Sequence, residues 1–141
     1  PLFASRLAGD LGLHDPNIAC IGRVSPDDLP HLYRGARLFA FPSHAEGFGL
    51  PPLEAMASGV PVVCSNTTSM PEVVGDGAIL VAPDDTAALV RAMAAILDDA
   101  ELRAGLCARG LARSRAFSWD RTARETLLAY HRVLAGTQTT R

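Results

Sequence analysis

The chain contains no lysine; all 13 of its cationic side chains are arginines. One common ligand for phosphate groups is therefore missing from these 141 residues. Cysteine is scarce and odd in number: Cys20, Cys64 and Cys107 lie far apart, with no C-x-x-C pair. That pattern gives neither a disulfide framework nor zinc-ligand spacing, and it fits a reducing compartment. No apolar run approaches the roughly 18–20 residues that a bilayer-crossing helix requires. A formal net charge of −2 excludes a basic stripe for nucleic acid and a polybasic membrane patch. No secretory signal is visible, but the chain opens at Pro1-Leu2-Phe3 inside what reads as a helix, so the start of the protein is expected upstream. The expected location is cytoplasmic, either free or peripheral at the inner face of the membrane.

What is present is a globular composition. Apolar residues make up 48% of the chain and charged residues 20%, with no low-complexity tract, so a packed unit is expected. Residues 2–13 read as a helix. Ile18-Ala19-Cys20-Ile21, within residues 17–22, is strand-like in length and bounded by turn residues. Ser25-Pro26-Asp27-Asp28 reads as a capped helix start, with Leu29, Leu32, Tyr33 and Ala36 facing inward. Arg37-Leu38-Phe39-Ala40-Phe41 reads as a buried strand. After a loop over residues 42–50, a helix is expected over residues 51–58, ended by Gly59. Val60-Pro61-Val62-Val63-Cys64 is a further strand. Residues 70–74 form a short helix, residues 78–81 a short strand, and Asp84 starts a helix carrying Leu89, Val90, Met93, Ile96 and Leu97 at helical spacing. An arginine-rich helix follows over residues 101–116. Ser118 caps a last helix expected to bury Trp119, Ala123, Leu127, Tyr130 and Leu134.

Short apolar strands alternating with helices imply parallel pairing through right-handed crossovers. The fold class is α/β: an open parallel sheet of about four strands with helices on both faces, Rossmann-like. No linker or internal repeat divides residues 1–141, which read as a single partial domain.

In such sheets ligands bind outside the carboxyl ends of the strands. The loop Pro42-Ser43-His44-Ala45-Glu46-Gly47-Phe48-Gly49-Leu50 follows a strand at that end. Gly47 and Gly49 flank Phe48 and allow close backbone approach. Pro51 and Pro52 fix the start of the next helix, whose free N–H groups suit an anion such as phosphate. Two carboxylates, Glu46 in the loop and Glu54 in the helix's first turn, bracket this place. Carboxylates repel phosphate but accept hydrogen bonds from hydroxyls, each charged hydrogen bond being worth about 1.5–3 kcal/mol. A nucleotide sugar, with hydroxyls on both sides of a diphosphate, satisfies the whole arrangement.

The run Phe-Pro-Ser-x-x-Glu-Gly-Phe-Gly-Leu-Pro-x-Leu-Glu-Ala-Met-Ala-x-Gly-x-Pro-Val-Val over residues 41–63 resembles the group 1 (family 4) retaining glycosyltransferases, with Glu46 and Glu54 as their E-x7-E pair. The likeness continues upstream in Ile21-Gly22-Arg23-Val24-Ser25 and downstream in Ser65-Asn66, Pro71-Glu72-Val73, Gly75-Asp76, Pro83-Asp84-Asp85 and Phe117-Ser118-Trp119. It therefore covers nearly the whole chain.

The resemblance implies the C-terminal, donor-binding domain of a glycosyltransferase-B fold. Its first β-α units and an N-terminal acceptor domain would lie outside the chain. By carry-over Glu46 contacts hydroxyls of the transferred sugar, and Glu54 contacts those of the ribose. Backbone groups of Gly47, Phe48, Gly49 and Leu50 touch sugar and diphosphate, and Gly22, Arg23 and Val24 lie beside the base. Transfer would proceed at the front face with retention, the leaving phosphate helping to deprotonate the acceptor. The scheme implies no metal and no cofactor beyond a UDP-, GDP- or ADP-linked sugar as substrate. The acceptor is a sugar, a lipid or a small molecule. The family also sets an arginine and a lysine on an earlier loop against the diphosphate. This chain carries no such pair, so the chain alone is expected to be inactive.

Plainer readings stand beside these. Glu54 could only favour a helix dipole, for about 0.3–1 kcal/mol, and Glu46 could be a solvated loop residue. His44 reads as a surface histidine, Glu72 as structural, and Trp119 and Tyr130 as core. His14, His31 and His131 have no ligand spacing, and the arginines from Arg103 to Arg115 form a solvated face. A glycoside hydrolase pair would need two carboxyl groups about 5–9.5 Å apart across one bond, and it leaves the phosphate-suited helix start unexplained. The rival from another class is a non-catalytic α/β module that binds a nucleotide or a protein.

Overall fold

A computed structural model describes residues 18–136; the helix expected over residues 2–13 lies outside them. The described chain runs α1 (Leu29–Gly35), β1 (Phe39–Phe41), α2 (Leu50–Ala57), β2 (Val62–Ser65), α3 (Met70–Val74), β3 (Ala78–Val81), α4 (Thr86–Asp98), α5 (Ala100–Ser114) and α6 (Trp119–Gly136). The three strands form one parallel sheet in the order β1-β2-β3.

Register assigns each strand residue to a face. Phe39 pairs with Val62 and Val62 with Ala78, while Ala40 pairs with Val63 and Val63 with Ile79. Because side chains alternate along a strand, Phe39, Phe41, Val62, Cys64, Ala78 and Leu80 share one face. They pack with Tyr33, Leu53, Ala55, Met56, Met70, Val73 and Val74 from α1, α2 and α3. Ala40, Val63, Ile79 and Val81 share the other face, against Leu89, Met93 and Ile96 of α4 and Leu102 and Leu106 of α5. The central strand β2 is buried throughout, whereas Phe39 and Phe41 are only half-buried rather than core. Each fully buried valine on β2 stabilises the fold by about 1.5–3 kcal/mol relative to exposure. Burial also pushes the Cys64 thiol up to about 11, so it packs as a small neutral hydrophobe.

The local signals mostly place the helix ends. Gly59 at φ +78° donates to the Met56 carbonyl, and Val60 donates to that of Ala55. These two bonds are the Schellman ending that a glycine at this place allows. The Ser25 hydroxyl accepts from the Asp28 N–H at 3.1 Å and donates to the Asp28 carboxylate at 2.7 Å, but the capped residues form a turn and α1 begins three residues later than expected, at Leu29. Ser118 accepts the Arg121 N–H at 3.1 Å. The cap of α4 is Asp85, not Asp84, with its carboxylate on the Ala88 N–H at 2.8 Å.

Three expectations are corrected. Residues 18–21 are exposed coil, not a fourth strand, with Ile21 63% exposed. A strand exists through its ladder, and β1 pairs only with β2 among the described residues. On α1, Tyr33 is buried but Leu32 and Ala36 are exposed. A seven-residue helix presents one narrow line inward, here Leu29 and Tyr33, four residues apart. On α6, Trp119 is 79% exposed, and Leu127, Tyr130 and Leu134 are exposed as well. The two sheet faces are already covered by α1–α3 and by α4 with α5, so the apolar stripe of α6 has no sheet surface left to cover.

α5 reaches past the sheet to touch α2. Gly110 meets Met56 of α2, where a Cβ would lie 3.1 Å from the Met56 Cγ, and it also meets the turn before β3: a Cβ on Gly77 would lie 3.0 Å from the Gly110 Cα. Among the described residues, no helix is long and apolar enough to cross a membrane.

Candidate functional site

The loops that leave the carboxyl ends of β1 and β2 lie against each other. In the first, the Ser43 hydroxyl donates to Glu46 Oε1 at 2.7 Å and approaches the Ala45 carbonyl at 3.3 Å. Glu46 is half-buried, and this contact fixes one of its two oxygens.

The second loop straps the first through three consecutive hydroxyls. Thr67 donates to the His44 carbonyl at 3.1 Å. Thr68 accepts the Glu46 N–H at 3.1 Å. Ser69 reaches the carbonyls of Glu46 at 3.1 Å and Phe48 at 2.9 Å. To reach its position Thr68 takes φ +52°, a left-handed conformation that costs a non-glycine residue roughly 1–2 kcal/mol. Nothing in the sequence reading singled out these residues. The one signal was a run of hydroxyl residues directly after a strand's carboxyl end. The third carboxyl-end loop joins through His44 Nε2, 3.6 Å from Asp84 Oδ1. Both side chains are largely exposed, so that pair contributes little.

Gly49 caps α2 at φ +102° and is buried beneath Met70. α2 therefore begins at Leu50, one residue earlier than expected, and Pro51 and Pro52 occupy its second and third positions. Two consequences follow. Prolines carry no N–H, so this helix start offers fewer donors than the expected phosphate cradle. The amides of Gly47, Phe48, Gly49 and Leu50 have no hydrogen-bond partner among the described residues and so remain available as donors. Glu54 also falls in the second turn of α2 rather than the first, too far along to owe its place to the helix dipole.

Glu54 is exposed, yet one of its oxygens is held. The Tyr33 hydroxyl of α1 donates to Glu54 Oε2 at 3.2 Å. Burial, and after it the Glu54 charge and hydrogen bond, push the Tyr33 phenol up to about 12. The Tyr33 ring is set edge-on to Phe39 at 5.4 Å, and Phe39 stacks on Phe41 at 5.9 Å.

Beside the loop, Phe48, Leu50, Leu53, Phe117 and Trp119 line an apolar cleft of about 320 Å³. Phe48 is 43% exposed and meets Phe117 edge-on at 5.8 Å. The Arg113 guanidinium covers Phe117 at 4.8 Å and donates to the carbonyls of Glu72 and Val73. Glu72 thus lies at a structural junction. Gly22 and Arg23 are exposed and Val24 half-buried in the coil before α1. Among the described residues, no hydrogen bond or ion pair ties these three to the loop of Glu46. No lysine or arginine occurs between Arg37 and Arg91.

Comparison with known proteins gives a consistent picture. The family described as "Glycosyl transferases group 1" matches residues 4–111. O-antigen chain mannosyltransferase B of Escherichia coli is 48% identical over 119 residues, covering 84% of this chain and 31% of that protein. Among solved structures, sucrose-phosphate synthase from Thermosynechococcus elongatus superposes with a TM-score of 0.80 at 30% identity, covering 94% of this chain and 34% of that one. The C-terminal domain of a group 1 glycosyl transferase from Francisella tularensis gives a TM-score of 0.67 at 29% identity, over 79% of this chain and 58% of that one. The chain thus spans about a third of the length of the E. coli mannosyltransferase it resembles.

Proposed function

Since the chain belongs to the group 1 glycosyl transferases, we propose that it is the C-terminal, donor-binding part of a retaining enzyme that moves a hexose from a nucleotide sugar to an acceptor hydroxyl. The observation that carries this reading is the arrangement at the sheet's carboxyl end. Two carboxylates, Glu46 and Glu54, each have one oxygen held by a hydroxyl group, and between them in sequence lies a loop whose amides have no hydrogen-bond partner among the described residues. The amides and the helix start suit the diphosphate, and the carboxylates suit hydroxyls.

In this reading Glu46 holds hydroxyls of the transferred sugar near the reacting carbon and Glu54 holds the ribose. The amides of Gly47, Phe48, Gly49 and Leu50 bind sugar and diphosphate oxygens, and Gly22, Arg23 and Val24 flank the base. The leaving phosphate takes up the acceptor's proton during front-face transfer, so the chain's own task is to orient the donor and to stabilise charge on the diphosphate. The missing share of that stabilisation is cationic. With no lysine or arginine between Arg37 and Arg91, the loops around the site bring no cation of their own to the diphosphate, and in this reading the 141 residues alone transfer no sugar.

The test is calorimetric titration of the full-length protein with UDP-, GDP- and ADP-linked hexoses. Mannosyl donors come first, because the E. coli relative is a mannosyltransferase. The anomeric configuration of the product is then read by NMR. Binding of one donor with a retained anomer is expected. Absence of binding across the panel, or an inverted product, would remove the proposal.

A further inference from the structure

We infer that Tyr33 is a positioning residue for donor binding: its hydroxyl fixes one oxygen of Glu54 so that the other is presented to the ligand. The inference rests on the reading of Glu54 as a donor contact. Tyr33 and Glu54 are 21 residues apart and lie on different helices, so the contact is made by the fold and not by helical neighbourhood.

The geometry is directional. Tyr33 is 8% exposed, and its ring is clamped against Phe39 of β1, which in turn stacks on Phe41. The phenol is therefore a fixed point referred to the sheet. Glu54, by contrast, is exposed on the surface of α2, and a free glutamate loses side-chain entropy on being ordered. The hydrogen bond to Oε2 removes part of that loss before any ligand arrives. Glu54 Oε1 has no partner among the described residues and is the oxygen left for a hydroxyl group. The phenol, raised to about 12, remains a donor across the physiological range. Glu46 has a hydroxyl of its own in Ser43, but that contact is local within one loop. Only Glu54 is referenced to a buried ring on a different element.

The test uses the full-length protein and separates positioning from packing. Tyr33→Phe keeps the ring against Phe39 and removes only the hydroxyl. Its donor KM is expected to rise about fivefold to twentyfold with kcat changed less than threefold, because an oriented charged contact is loosened while the reacting centre is untouched. In a Glu54→Ala background the same Tyr33→Phe change should have no further effect on donor KM. A donor lacking both ribose hydroxyls should bind wild type and Tyr33→Phe alike. If Tyr33→Phe keeps the wild-type donor KM while Glu54→Ala raises it, Tyr33 only packs and the inference fails, though the donor site stands. If Glu54→Ala also leaves donor KM unchanged, both the inference and the assignment of Glu54 fall. If Tyr33→Phe raises donor KM equally with and without Glu54, the effect runs through packing, and the inference is again overturned.

Discussion

Met70, the first residue of α3, closes directly over Gly49, the residue that caps α2. A β-carbon at Gly49 would collide with the Met70 methyl group, and Met70 is fully buried. The bend that presents the loop of Glu46 is therefore held from the adjacent loop of the sheet, not by the glycine alone.

Gly49→Ala should accordingly destabilise the protein by about 1–3 kcal/mol, combining the penalty at φ +102° with displacement of Met70. Thermal unfolding of the variant checks this. A melting point equal to wild type would mean that the loop accepts a side chain by moving, and the clamp described above would be wrong.

Ser69→Ala removes the hydroxyl that reaches both the Glu46 and Phe48 carbonyls. A loss of about 0.5–1.5 kcal/mol is expected, with faster hydrogen exchange confined to residues 43–50. Uniformly faster exchange over the whole chain would instead mark a global effect.

The two carboxylates should separate kinetically in the full-length enzyme. Glu46→Gln keeps size and removes the charge that the proposed reading sets near the transferred sugar, and it should lower kcat about tenfold or more. Ser43→Ala, which frees one Glu46 oxygen, should act in the same direction but less strongly. Glu54→Ala should chiefly raise donor KM. Steady-state kinetics with donor and acceptor varied separately decide the matter, and wild-type values for both glutamate variants would refute the site.

Gly77→Ala should be among the more damaging small substitutions, at about 1–3 kcal/mol. The added carbon would lie 3.0 Å from the Gly110 Cα and 3.1 Å from the Val74 carbonyl oxygen, and backbone cannot step aside as a side chain can. Urea unfolding measures the loss. Gly35→Ala, where an added Cβ meets nothing within 4 Å, serves as the control.

Alkaline pH should weaken the fold through Cys64 and Tyr33. Both acids are raised on folding, from 9.0 to about 11 and from 10.0 to about 12. Their contributions are whole below pH 9 and are lost as the unfolded chain ionises first. Above pH 9 the thiol costs about 1.4 kcal/mol of stability per pH unit until its folded value is reached, with the phenol following one unit later. Cys64→Ala should flatten the pH 9–11 segment of a denaturation series relative to wild type. An unchanged slope would show that the thiol is not the group responsible.

Several features were legible in the sequence because they depend on neighbours along the chain. Gly59 ends α2 because only local backbone sterics are involved, and Ser118 caps α6 for an equally local reason. Val62 and Val63 are core because a continuous apolar run suits a strand covered on both faces. Other features needed partners that no local pattern names. Residues 18–21 have the composition of a strand but no ladder among the described residues. Trp119 and Tyr130 have the spacing of a buried face, yet spacing says only that a face could be covered. Glu54 moved from the first to the second turn of its helix because the left-handed turn at Gly49 starts α2 at Leu50.

The sequence by itself determined the family, the parallel α/β class and the two glutamates flanking a glycine-bearing loop, since all of these are written in residue type and short spacing. Only the tertiary structure decided that Thr67, Thr68 and Ser69 strap that loop and that Tyr33 grips Glu54. Those contacts join residues about 20 apart through a shared sheet, and distance along the chain carries no information about which side chains a sheet will bring together.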